Sequence, residues 1–530
     1  MSGSKATSTS ALTRRGFLIR IGLLTGGLAS TSSLLAACAP AASIPAQTPA
    51  GSSTLTLAMT QDITFPDPVR SVALNDLSTL WINVYDPLVM RKPDGTLGPW
   101  LAESWQTVSP TEWVMKLRPN VKFHNGEPLD AAAVKFTYER YLKDGQRYGP
   151  IASIVDHAEV LDPLTVKLTT KRPNGLFIET IWEMPIVPPK YIGEVGEPGF
   201  EKKPVGTGAF KFVEWSKGSH LTLERNPDYW NGAPSIAGAT FKYMPEVATR
   251  LAALKAGEVD IAFQLPPDAV QEMEATNFLR VSTADSPRMI YFVFFPDSPL
   301  GSGKPLADVR VRRALNHAVN VDSIIKNLLG NEAKRVAVLY APQTYGFDPS
   351  IQPIPYDPSE AKRLLSEAGY PNGFTLDVDV PTGGNPIKPV EVGQAVAADL
   401  EKVGVSVKMR TVDAATYTTM RNEKKTAPMF MWNWIGFDGD YVLWGNLHSK
   451  SQWFFMAGHD KQIDDLIDQE RTSIDQNARA AIFKQLQARL MKDVPHLPLY
   501  QQRDIFGVNK RVQWDAITGG MVALRTASVE

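Results

Sequence analysis

The chain of 530 residues contains a single cysteine, Cys38. That excludes an internal disulfide and any thiolate metal cluster. Its seven histidines are scattered and never fall into the His-Glu-x-x-His spacing of a zinc protease. No charge sign dominates: 55 Lys and Arg face 56 Asp and Glu. The first 37 residues hold Lys5, Arg14, Arg15 and Arg20 and no acid, so the remainder counts 51 basic against 56 acidic, or −5. A mildly acidic body gives no reason to expect a nucleic-acid partner. Beyond the first forty residues no run is apolar enough to span a bilayer.

The familiar catalytic loops are missing too. Gly301-Ser302-Gly303-Lys304-Pro305 looks like a phosphate loop, but Ser298 stands where the first glycine belongs and a proline follows the lysine. Gly206-Thr207-Gly208 lacks the third glycine of a dinucleotide loop. There is no Gly-x-Ser-x-Gly. The sequence therefore predicts no enzyme, no cofactor and no metal site. His124 reads as a turn residue, and His448 and His459 as surface residues.

What is present begins with an address. Thr13-Arg14-Arg15-Gly16-Phe17-Leu18 is a twin-arginine pattern, and a Gly/Ser-rich apolar run follows from Ile21 to Ala37. Leu35-Ala36-Ala37-Cys38 matches the bacterial lipobox. Residues 1–37 are thus expected to be a lipoprotein signal peptide, with Cys38 acylated and the protein exported. The lipid anchor would hold it at the outer face of the cytoplasmic membrane or in the periplasm. Residues 38–54 are Ala/Pro/Ser-rich and uncharged, the composition of a flexible tether.

From Thr54 the chain alternates strands and helices. Thr54 to Met59 is an alternating strand, and Thr60, Gln61 and Asp62 at its carboxyl end are cleft candidates. Asp130 and Asp308 read as helix N-caps, Pro358 as a helix start, and Gly369 and Gly404 as stops. Arg310, Arg312 and Arg313 read as a solvated helix face. Asp460 to Lys492 should be two helices broken near residues 473–475. Strand–helix–strand alternation indicates mostly parallel sheets.

Pro204-Val205-Gly206-Thr207-Gly208, a hairpin, and then Arg225-Asn226-Pro227-Asp228-Tyr229-Trp230 form the most specific stretch. It resembles the extracytoplasmic solute-binding proteins of peptide-type ABC importers. Tyr85-Asp86-Pro87, Asp308 to Asn320, and Tyr356 to Tyr370 resemble the same family in the same order, so the resemblance runs from Leu55 to about Trp514. It implies an α/β, two-lobed periplasmic-binding-protein fold (type II, cluster C-like) with an extra subdomain in lobe I. The implied domains are lobe I over 55–290 with its subdomain at about 95–200, lobe II over 291–496, and a return to lobe I over 497–530. The crossings would lie near 286–296 and 493–502. The implied function is capture of a peptide between the lobes and delivery to an ABC permease and ATPase.

Met429 to Trp444 is the richest candidate site. Trp432, Trp434, Phe437, Asp438, Asp440 and Trp444 could offer aromatic faces and carboxylates to a ligand; Trp453, Phe454 and Phe455 carry the same ambiguity. In dipeptide-binding relatives an aspartate here holds the ligand's ammonium group. In this sequence Phe437 takes that position, with Asp438 beside it. The tryptophans make oligosaccharides a second ligand class and leave metal chelates third. A surface hydrolase using Asp438 is the alternative from another class.

Overall fold

The computed structural model describes residues 53–71, 77–92, 95–144, 154–384, 386–455 and 460–530. The signal segment, Cys38, most of the tether and His459 lie outside them. Among the described residues no helix is long and apolar enough to cross a membrane.

Two antiparallel strands, Leu279–Phe294 and His496–Asn509, join two lobes. Their outer halves pair in lobe I, Leu279 with Asn509 through Asp285 with Arg503. Their inner halves pair in lobe II, from Met289 with Gln501. Between the halves, Ser286, Pro287 and Arg288 of one strand face Gln502 of the other, a bulge at the crossing. The crossings lie within the expected 286–296 and 493–502; the half before Ser286 is only partly buried, whereas Ser286 to Phe294 is buried throughout.

In lobe I the sheet continues through Ile261–Ala262, Thr54–Met59, Gly238–Tyr243, His220–Arg225 and Phe210–Ser216. In lobe II it continues through Met429–Ile435, Phe374–Pro381 and Val405–Val412. Thr54–Met59 runs parallel to both its neighbours, and Phe374–Pro381 does the same in lobe II. An antiparallel four-stranded sheet over residues 102–170 and the helix Ala131–Asp144 form the subdomain, whose core is continuous with that of lobe I.

The motif at 204–230 has a structural cause. Asp86, almost wholly buried, accepts hydrogen bonds from Trp100 Nε1 (2.6 Å), Thr207 Oγ1 (2.8 Å), Trp230 Nε1 (3.0 Å) and the Tyr229 hydroxyl (3.2 Å). Four donors replace the hydration that a buried carboxylate loses. Gly206 and Gly208 are needed for close approach: a Cβ would sit 2.0 Å from Val84 O and 2.5 Å from Asn83 O. The motif thus closes lobe I on itself. His124 belongs to the same knot. Its Nε2 lies 2.9 Å from Gly208 O, Gly206 N donates to Nδ1 at 3.3 Å, and burial lowers its pKa to about 4.

The expected caps form, with Asp130 accepting from Ala133 N and Asp308 from Arg310 N, and Asp357 caps the helix that Pro358 starts, accepting from Ser359 N. The helices Lys461–Thr472 and Gln476–Asp493 break at 473–475. Two surface expectations are corrected. Arg312 is buried and donates to the carbonyls of Leu306, Ala307, Asp493 and Val494. Helical spacing turns it inward, where it caps the carbonyl end of Gln476–Asp493. His448 is 1% exposed, stacked on Trp444 and close to Asp464 and Asp468.

Candidate functional site

Ile435, the last residue of its strand, pairs with Arg288, where the crossing strand enters lobe II. Ala262 pairs with Gly507, and Leu265 N donates to Ile505 O, so the parallel strands of lobe I also end near the crossing. Both sheets therefore present carboxyl ends to the space between the lobes, where open α/β sheets bind ligands.

Thr60 and Gln61 lie at such an end, half-buried and exposed respectively. Asp62 is spent inside lobe I: its carboxylate accepts from Trp215 Nε1 at 2.8 Å and from Gly218 N at 2.5 Å, anchoring the hairpin.

Trp432 and Trp434 are core residues rather than cleft walls. Alternation along Met429–Ile435 puts both on the sheet face covered by Tyr291, Phe430, Trp453 and Phe455. Arg421 lies 4.6 Å above Trp432, which shields it further. Trp444 is half-buried between His448 and Arg471.

Asp438 caps the helix Gly439–Leu447 and takes a bidentate pair from Arg479, at 2.7 and 2.8 Å. Arg479 Nε also donates to Glu470 at 2.9 Å. Arg471 Nε lies 3.0 Å from Asp440. All three carboxylates are buried. Burial and the neighbouring Asp440 push the Glu470 pKa up to about 11. Burial raises the Asp440 pKa as well, so the cluster holds a proton alongside its two guanidiniums. Asp438 and Asp440 are thus paired with arginines within lobe II.

Phe437 does face lobe I. Its ring meets Trp182 edge-on at 5.9 Å, and the Arg91 guanidinium lies 4.3 Å above it. Arg91 also covers Trp182 at 4.9 Å and pairs with Glu179, whose pKa is raised chiefly by burial. Nearby, Gly175 N donates to Arg471 O at 2.9 Å across the lobes. A Cβ on Gly175 would lie 2.2 Å from Ser473 O, so glycine permits this approach. On another side, Lys388 of lobe II pairs with Asp268 of lobe I at 2.7 Å. The lobes are in contact.

The remaining groups at the crossing were missed by sequence reasoning. Arg288 and Asp504 are 7% and 5% exposed. Arg288 Nη1 donates to Asn433 Oδ1 at 2.5 Å. Burial lowers the Arg288 pKa to about 10 and raises that of Asp504 to about 6, each opposed by the other's charge. The available signal was slight: Arg288 opens the apolar run Met289 to Phe295, and Asp504 directly precedes Ile505-Phe506. Among the described residues no group of three or more His, Cys, Asp or Glu side chains could hold a metal ion.

Comparison with known proteins agrees with this architecture. Residues 96–454 match the model of the bacterial extracellular solute-binding proteins, family 5. The chain is 29% identical to the glutathione-binding protein GsiB of Pectobacterium atrosepticum, over 78% of this chain and 82% of the relative. It is 28% identical to the di/tripeptide-binding protein 2 of Pseudomonas aeruginosa, over 82% and 86%. Among solved structures, HbpA2 from Haemophilus parasuis superposes with a TM-score of 0.78 at 25% identity, over 90% of this chain and all of that one.

Proposed function

The chain belongs to the bacterial extracellular solute-binding proteins of family 5, and we propose that it captures a peptide or peptide-like solute between its lobes and delivers it to an ABC permease and its ATPase. The observation that carries this reading is the two-strand crossing. Its ladder is interrupted at Ser286 to Arg288 against Gln502 and again at Leu499, so the lobes can rotate about a short irregular segment. A solute touching both lobes favours the closed form by its differential affinity for that form. Micromolar binding supplies about −8 kcal/mol, which has to exceed the cost of closure. No covalent step is required.

Peptides are favoured by the di/tripeptide-binding and glutathione-binding relatives. The oligosaccharide alternative loses its motive, since Trp432 and Trp434 serve the core. The hydrolase alternative loses its carboxylates to Arg471 and Arg479. The protein is extracytoplasmic, and Cys38 is its proposed site of lipidation. Cys38→Ser should move it from the membrane to the soluble fraction; a protein that stays with the membrane removes that assignment.

The test of the ligand class is native mass spectrometry of the full-length protein, purified without additions and then exchanged against peptide and oligosaccharide pools. Retained masses matching peptides support the reading. Hexose-spaced additions, with no peptide retained, overturn it.

A further inference from the structure

One acid of lobe I stands against the charge cluster of lobe II. Glu179 is carried by the helix Phe177–Ile181 of lobe I. Four residues before it, the Gly175 amide donates to Arg471 O, and a Cβ on Gly175 would lie 3.0 Å from Arg479 Cδ. The partner of Glu179, Arg91, lies over the Phe437 ring, and Asp438 is the next residue. The lobe contact therefore gathers four carboxyls, those of Glu179, Asp438, Asp440 and Glu470, around three guanidiniums, those of Arg91, Arg471 and Arg479.

The charges that act on Glu179 come from three further elements. Arg91 ends the strand Val89–Arg91, Asp438 caps the helix Gly439–Leu447, and Arg479 lies on Gln476–Asp493. Burial raises the Glu179 pKa, Asp438 adds to the rise, and Arg91 and Arg479 oppose it. The Arg91 side chain is 3% exposed and that of Glu179 21%, so a proton can reach the acid from solvent while the lobes stay together. A second lobe contact, Lys388 with Asp268, differs in kind. The Asp268 side chain is 67% exposed, and water and salt screen the pair.

We propose that Glu179 and Arg91 form a proton-sensitive latch: bringing the lobes together takes up a proton from solvent at Glu179, and loss of that proton loosens the closed form. The proposal rests on the closing motion described above and not on the class of solute. With the lobes apart, Glu179 and Asp438 lie in separate surroundings, each beside its own arginine. With the lobes together, the two carboxyls share one desolvated contact, and protonating Glu179 removes its repulsion from Asp438. The packing of Arg91 on Phe437 and Trp182 persists at either charge state. Because the acid's pKa is raised above its ordinary 4.5 in the closed form, the latch is strongest below about pH 4.5 and weakens as pH rises through the raised value. An acidic medium thus favours retention of a captured solute, and a neutral one its release.

The test is small-angle scattering of the full-length protein, freed of bound solute, from about pH 4.5 to about pH 8.5. The parent is compared with Glu179→Gln, which mimics the protonated acid. The latch predicts a radius of gyration that grows with pH in the parent, with the closure equilibrium moving by up to about tenfold per pH unit. Glu179→Gln should match the parent at the acid end and stay compact to the alkaline end. Hydrogen exchange at the Gly175 amide reads the contact directly, since its bond to Arg471 O exists only when the lobes meet. At the alkaline end that amide should exchange at least about fivefold more slowly in Glu179→Gln than in the parent. Cooperative unfolding of the variant confirms its fold, and the pH series on the parent needs no variant. A parent radius that does not change with pH overturns the latch. So does a variant whose radius follows pH as steeply as that of the parent. Either result leaves the peptide reading standing, because mass spectrometry of retained solutes decides that reading independently.

Discussion

Two buried charge clusters lie in this molecule, and they differ in how completely their members answer one another. Around Arg479, the carboxyl groups of Asp438, Asp440 and Glu470 and the guanidiniums of Arg471 and Arg479 sit within hydrogen-bonding or ion-pair distance. At the crossing, Arg288 and Asp504 attract without touching. The first arrangement is what a scaffold needs, because a buried charge is tolerable only when paired. The second is a pair whose charges act on each other across the bulge without a direct ion pair.

The sharpest way to break that comparison is to remove the centre of the complete cluster. Arg479→Met leaves Asp438 and Glu470 buried without their cation and should cost about 3–5 kcal/mol of stability, read as a lower urea midpoint. A loss below about 1 kcal/mol would show the cluster to be well hydrated.

A smaller effect is expected at the lobe contact. Phe437→Ala removes an edge-to-face pair with Trp182 and a cation contact with Arg91, together about 1–3 kcal/mol. Because these contacts cross the lobes, the loss should fall on closure. Small-angle scattering of the unliganded variant should give a larger radius of gyration, with an unchanged unfolding midpoint in each lobe. An unchanged radius would mean that Phe437 does not hold the lobes together.

The smallest effect is expected at Glu470. Its folded pKa, about 11, lies above its ordinary value of 4.5. The stability tied to that proton is full below about pH 4.5 and declines as pH rises toward 11. Glu470→Gln mimics the protonated form. It should leave stability near pH 5 within about 1 kcal/mol and flatten the decline measured by urea unfolding between pH 5 and 9. A variant as pH-dependent as the parent would refute the shared proton.

Much of the fold was legible because local chemistry fixed it. The caps at Asp130, Asp308 and Asp357, the glycine stops and the break at 473–475 each depend on a few neighbouring residues. The motif at 204–230 was specific enough to indicate the family, although its residues turn out to serve the Asp86 knot. The site was far less legible. Trp432 and Trp434 looked like ligand faces, yet alternation along one strand places both on the core side. Asp438 looked free because Arg479, its partner, lies forty-one residues away. Arg288 and Asp504 are separated by more than two hundred residues and meet only when the two crossing strands pair. Phe437 was read as a departure from the dipeptide pattern, and its position against Trp182 and Arg91 gives that departure a physical use.

The most direct test of the ligand account is a crystal structure of the protein with a retained free-ended dipeptide. The account predicts density between the lobes, with the Asp438–Arg479 pair intact. A dipeptide held by Asp438 with that pair broken, or one bound away from the crossing, would contradict it.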